Sequence, residues 1–137
     1  MVATKVVITV TGGSHCGTRF VVRGPGHSVV GRAADCPVRL AGAFEDGLVS
    51  RHHCQVDIEP PCVRVHDLGS RNGTFLNGKR IMRPESGPLS EYDTQTIPQE
   101  SELKVGDELQ VGPIPLRVAI HMQREVQTDV DGRAAVR

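Results

Sequence analysis

The chain is poor in aromatic residues: of 137 residues none is Trp, one is Tyr and three are Phe. Without interleaved aromatics it has no stacking platform for single-stranded nucleic acid. An excess of one charge is also missing, because 16 Lys plus Arg balance 16 Asp plus Glu. No global field draws such a chain to nucleic acid or to an anionic membrane, so neither partner is expected and any anion must be held by a local cluster. No apolar run approaches the ~18 residues of a membrane span. Val6 to Val10 is shorter than the apolar part of a secretory signal and no small-residue cleavage site follows it, so a cytoplasmic protein is expected. Cys16, Cys36, Cys54 and Cys62 form no C-x-x-C pair. Their spacing fits no structural zinc pattern, including one built from Cys54, Cys62 and nearby histidines. Free thiols are expected, with no metal and no cofactor.

Gly (15) and Pro (9) are plentiful, and they punctuate short apolar runs. Val6, Ile8 and Val10 alternate with Lys5, Thr9 and Thr11. Phe20 and Val22 alternate with Arg19 and Arg23, and Cys54, Val56 and Ile58 with Gln55 and Asp57. Val38 and Leu40 flank Arg39, Val63 and Val65 flank Arg64, and Leu109 and Val111 flank Gln110. Leu116, Val118, Ile120 and Met122 alternate with Arg117 and His121. This period of two buries one face of each strand and wets the other. No stretch keeps a helical period with caps. Gly24-Pro25-Gly26, Glu45-Asp46-Gly47, Pro60-Pro61, Asn72-Gly73, Asn77-Gly78 and Gly106-Asp107 read as turns, with Asn77-Gly78 the tip of a two-residue hairpin. The pattern predicts an all-β, antiparallel β-sandwich. Residues 1–122 are read as one domain. The polar stretch 84–101 is read as a long loop within it, and 123–137 as a flexible tail or linker.

The chemistry gathers at strand edges: Gly31-Arg32, Ser50-Arg51-His52-His53, Asp67 to Thr74, and Asn77-Gly78. In a sandwich such loops collect at the two ends. Arg32, Arg51 and Arg71 offer forked donors suited to a phosphate dianion, Ser50 a hydroxyl donor, and Asn72 a carboxamide that pairs with a backbone N–H and C=O together.

In their order and approximate spacing these blocks resemble the forkhead-associated (FHA) domain family. The resemblance runs through Gly31-Arg32, Asp35 to Leu40, Val49 to Cys54, Asp67 to Gly78 and the late Leu103 to Gly112, and covers about Val6 to Met122. It implies a sandwich of about eleven strands with a peptide site in the loops at one end. It further implies recognition of phosphothreonine over phosphoserine by a monomeric adaptor in Ser/Thr kinase signalling. The expected partner is a phosphorylated protein, a Ser/Thr kinase or its substrate. By position, Arg32 and Ser50 are expected to hold the phosphate, Arg51 and Arg71 to add phosphate or loop contacts, and Asn72 to bind the peptide backbone. Gly31, His53 and Gly73 are expected to shape the site. His53 lies off the face shared by Cys54, Val56 and Ile58 and so is not expected to fill the core.

Other readings are weaker. A hydrolase would need Ser50, His52 or His53, Cys54 and Asp67 at one focus, which adjacent strand residues oppose. A basic edge of Arg51, Arg71, Lys79, Arg80 and Arg83 would lack aromatics for nucleic acid. A scaffold that binds its partner without phosphate is opposed by the intact Arg32, Ser50 and Asn72. Thr94 and Thr96 in the loop, and Thr128 beside Asp129 in the tail, are candidate phosphorylation sites that would supply an internal or neighbour-borne ligand.

Overall fold

A computed structural model describes residues 2–13, 15–41, 48–82 and 96–124. They form twelve strands and no helix: β1 (Val2–Val10), β2 (Arg19–Gly24), β3 (Gly26–Gly31), β4 (Val38–Arg39), β5 (Cys54–Glu59), β6 (Cys62–Asp67), β7 (Thr74–Leu76), β8 (Lys79–Ile81), β9 (Thr96–Ile97), β10 (Glu100–Glu102), β11 (Glu108–Val111) and β12 (Ile114–Arg124). None of the described residues belongs to a helix long and apolar enough to cross a membrane.

The strands make two sheets, ordered β2-β1-β12-β11-β7-β8-β9 and β10-β6-β5-β3-β4. All pairings are antiparallel except β3 with β4 and β8 with β9. The alternation read from the sequence sets which side chains meet between the sheets. Val6, Ile8, Val10, Val22, Leu109, Val111, Leu116 and Val118 come from one sheet, and Val30, Val38, Cys54, Val56, Ile58, Val63 and Val65 from the other; all are buried in one cluster. The Asn77-Gly78 hairpin forms as expected. Asn77 (φ 50°) and Gly78 (φ 86°) are both left-handed, the geometry that matches the twist of the flanking strands.

The late part of the chain departs from expectation. Most of the stretch read as a loop, including Thr94, lies outside the described residues, but its end is ordered into strands. Thr96 and Ile97 pair with Arg80 and Ile81, and Glu100 to Glu102 pair with Arg64 to His66. Strands of two and three residues are too short to show a period, and the outward glutamates gave no apolar signal. Thr96 therefore sits on a strand backbone and not in a loop. β12 reaches Arg124, so the chain stays ordered two residues past the tail boundary read at 123. Thr128 lies outside the described residues.

Candidate binding site

Gly31 ends β3, Cys54 begins β5, Asp67 ends β6 and Thr74 begins β7, so the connections between them share one end of the sandwich. The segment from Leu48 to Arg51 is their common anchor. The Arg32 amide N–H donates to Ser50 O (3.2 Å), and the Arg32 guanidinium donates through Nε to Val49 O (2.8 Å). The Arg71 amide N–H donates to Ser50 Oγ (3.1 Å), and Asn72 Nδ2 donates to Leu48 O (3.0 Å). Arg32, Arg71 and Asn72 are thus fastened to three consecutive residues, Leu48, Val49 and Ser50. Because Ser50 Oγ accepts from Arg71, its own proton is left to donate outward. Arg51, Arg71 and Asn72 are exposed, while Arg32 and Ser50 are half-buried.

Close packing fixes where Arg51 stands. A Cβ placed on Gly31 would lie 2.1 Å from Arg51 O, so only glycine lets the two backbones meet there. The same carbonyl accepts the Ala33 amide (3.2 Å) and the Cys36 thiol (3.2 Å). Burial pushes the Cys36 thiol pKa up, keeping it the protonated donor.

Beneath the loops lies a buried polar network. His53 is 0 % exposed. Its Nδ1 accepts the Ser50 amide N–H (3.0 Å), which places the proton on Nε2, and Nε2 donates to Gly73 O (2.8 Å). Burial holds the His53 pKa below its ordinary value, against the opposing pull of the Gly73 carbonyl and the Asp67 charge. His53 is fully buried yet lies outside the apolar core cluster, under the loops it ties together. Asp67 Oδ2 accepts the amides of Gly69 and Ser70, each at 2.8 Å. Its Oδ1 accepts the hydroxyls of Ser70 and Thr74, the latter at 2.6 Å. Ser70 Oγ in turn accepts the Gly73 amide (3.0 Å). Gly73 has φ +90°, which a side chain would strain. Asp67, Ser70 and Thr74 stand in a motif legible in the sequence, but their positioning role is not legible from that motif alone. A short polar residue at each end of a turn, with a buried strand on either side, was the available signal.

The groups a hydrolase would combine lie near one another but are buried or engaged in other bonds. Cys54 is fully buried, and burial with the nearby Asp67 charge drives its thiol far above the ordinary range, so no thiolate forms. Both His53 nitrogens are engaged. The exposed His52 Nε2 lies 3.1 Å from both carboxylate oxygens of Asp35, and its hydrogen bond holds the Asp35 pKa below the usual range. Cys54 and Cys62 point to opposite faces of their hairpin, so no site joins them.

A two-sheet sandwich that carries exposed cationic and carboxamide side chains on rigidly tied loops defines a recognition module that binds through one end. The family model for the FHA domain matches residues 28–97, just over half of the chain, and the chain belongs to that family. FHA domains are phosphothreonine-dependent binding modules. Among solved structures, the chain is similar to one described under phosphothreonine-dependent FHA domain interactions (27% identity, TM-score 0.61, covering 85% of this chain and 97% of that one). It is similar also to the FhaA FHA domain complexed with the intracellular domain of Rv3910 (26% identity, TM-score 0.58, 82% and 98% covered). The kinase-interacting FHA domain of the kinase associated protein phosphatase of Arabidopsis shares the fold (22% identity, TM-score 0.65, 90% and 98% covered). A search of curated proteins returned no match.

Proposed function

We propose that this chain binds proteins at a phosphorylated threonine, as an adaptor in Ser/Thr kinase signalling, and catalyses no reaction itself. The observation that carries the reading is the common anchor: Arg32, Arg71 and Asn72 all hang from residues 48–50, Ser50 among them. In this reading the Arg32 guanidinium and the free Ser50 proton hold the phosphate, with Arg51 and Arg71 as further cations. Asn72 reads the peptide backbone beside it. Gly31, His53 and Gly73 keep the loops in place. A phosphothreonine carries about −1.5 to −2 charge at neutral pH. Each charge-assisted hydrogen bond contributes roughly 1.5–3 kcal/mol, so three or four, less the cost of association, suit a micromolar complex. The engaged nitrogens of His53 and the buried Cys54 support a role without turnover. Four free cysteines support a reducing, cytoplasmic setting.

The test is titration of the chain with a phosphothreonine peptide library, with matched phosphoserine and unmodified controls. Arg32→Ala and Ser50→Ala are each expected to weaken phosphothreonine binding at least about tenfold while the circular dichroism of the fold is unchanged. Arg32→Lys, which keeps the charge but loses the fork, is expected to recover only part of the affinity. Wild-type affinity in both alanine variants would remove these residues from the phosphate site.

A further inference from the structure

The outer face of the five-stranded sheet, away from the loop end, carries a second convergence of polar groups. Strand register puts Gln55 opposite His66 and His66 opposite Glu100, and puts Asp57 opposite both His27 and Arg64. Gln55, Asp57, Arg64 and His66 alternate with buried core residues and so point outward, and the register places His27 and Glu100 on the same face. Asp57, His66 and Glu100, from three adjacent strands, each offer one ligand atom, and these atoms lie within 4.8 Å of one another.

Two details distinguish this group from ordinary surface charge. First, His66 Nδ1 is buried yet makes no hydrogen bond, although Asp57 Oδ2 stands 3.2 Å from it. The two form an ion pair when the imidazole is protonated; with Nδ1 deprotonated they face each other as two electron-pair donors, which a cation between them stabilises. A separation of about 3.3 Å is the ligand-to-ligand edge of a tetrahedral zinc site with bonds near 2.0 Å. Second, the surroundings orient the carboxylate without neutralising it. Gln55 Nε2 donates to Asp57 Oδ1 (2.7 Å), which leaves Oδ2 for the shared point. The nearest guanidinium, Arg64, is drawn off to Glu59 (Nη1–Oε1 3.0 Å). Asp57 and Glu100 border a concavity of about 310 Å³ that His27, Glu59 and Arg64 also line. The other grouping of this kind, Asp35, Cys36 and His52, is closed by its own bonds: Asp35 to His52 and the Cys36 thiol to Arg51 O.

We propose that Asp57, His66 and Glu100 form a three-ligand site for one divalent transition-metal ion of the zinc class, its fourth position open to solvent. Nitrogen and carboxylate donors in a four-coordinate set suit zinc or cobalt over the hard, oxygen-seeking magnesium and calcium. Bound there, the ion staples the three-residue edge strand β10 to β6 and β5. The site does not depend on the phosphopeptide reading, because it shares no residue with the loop end.

The test is isothermal titration of the chelator-stripped full chain with zinc chloride, with cobalt, magnesium and calcium chlorides in parallel. One zinc per chain with a Kd at or below about 10 µM is expected, together with a melting temperature that rises with zinc concentration. Cobalt is expected to give visible d–d bands without the near-ultraviolet thiolate band that exposed Cys16 or half-buried Cys62 would produce. His66→Gln and Asp57→Asn are each expected to weaken zinc binding at least tenfold while melting, in chelator, within a few degrees of wild type. A zinc Kd weaker than about 10 µM, wild-type zinc affinity in either variant, a thiolate band, or binding of magnesium or calcium in place of zinc would each overturn the proposal.

Discussion

Along the strands, Val6, Ile8, Val56, Val65, Leu109 and Leu116 meet between the sheets with only apolar surface to bury. At the loop end, His53, Asp67, Ser70 and Thr74 are just as buried, but they hold the chain by hydrogen bonds. The two regions are stabilised by forces of different character. Apolar burial gives roughly 1.5–3 kcal/mol per large side chain and is indifferent to direction. A buried hydrogen bond adds less in net terms but is directional, and its loss leaves a partner unsatisfied. The strand body therefore supplies stability, and the polar end fixes the geometry of the loops. Sheet ladders stop at Gly31 and Asp67. Beyond them the backbone groups of the loops need other partners, and the Asp67 carboxylate and His53 imidazole provide them.

Four changes break or sharpen that contrast. The largest effect is expected from Asp67→Ala. It strips the acceptor from the Gly69 and Ser70 amides and from two hydroxyls. With unsatisfied buried groups at about 1–3 kcal/mol each, a loss of roughly 3 kcal/mol or more is expected in urea denaturation. Leu116→Ala in the strand body is expected to lower stability by about 2–5 kcal/mol. The two separate in binding: under conditions where both are folded, Leu116→Ala keeps wild-type phosphopeptide affinity and Asp67→Ala does not. Equal affinity in the two would mean that the polar network does not position the loops.

A smaller effect on stability is expected from Gly31→Ala, whose Cβ would overlap Arg51 O at 2.1 Å. Overpacking of this kind costs about 1–3 kcal/mol. Displacement of residues 50 and 51 is expected to weaken phosphopeptide binding more than any equally destabilising change in the core. A crystal structure of the variant with Arg51 unmoved would contradict this account.

The smallest effect is a pH dependence. The His53 pKa in the folded chain lies below its unfolded value of about 6.5, so the unfolded chain takes up the proton first. Stability is then fully present above pH ~6.5 and falls as the pH drops toward the folded pKa. The difference in unfolding free energy between wild type and His53→Gln is expected to shrink on acidification through that window. A constant difference would show that His53 does not titrate on unfolding.

Much of the fold was legible because strand period is a local property. The alternation of Val6, Ile8 and Val10, or of Cys54, Val56 and Ile58, needs no knowledge of the partner strand. The hairpin at Asn77-Gly78 was legible for the same reason, since both residues tolerate left-handed backbone. β9 and β10 were not, because two- and three-residue strands are made by their neighbours: Ile97 by its place against the core, Glu100 and Glu102 by the free edge of β6. The burial of His53 was not legible because it follows from the loops folded over it and not from its parity in β5.

The sequence by itself determined the residue chemistry and the order in which the loops appear, because turn preference and amphipathic alternation are written in nearest neighbours. Only the tertiary structure decided that Arg32, Arg71 and Asn72 share the anchor at residues 48–50. It alone brought Asp57, His66 and Glu100 onto one sheet face. The physical reason is the same for both: backbone hydrogen bonds between strands set register across separations of tens of residues, and that register decides which side chains meet.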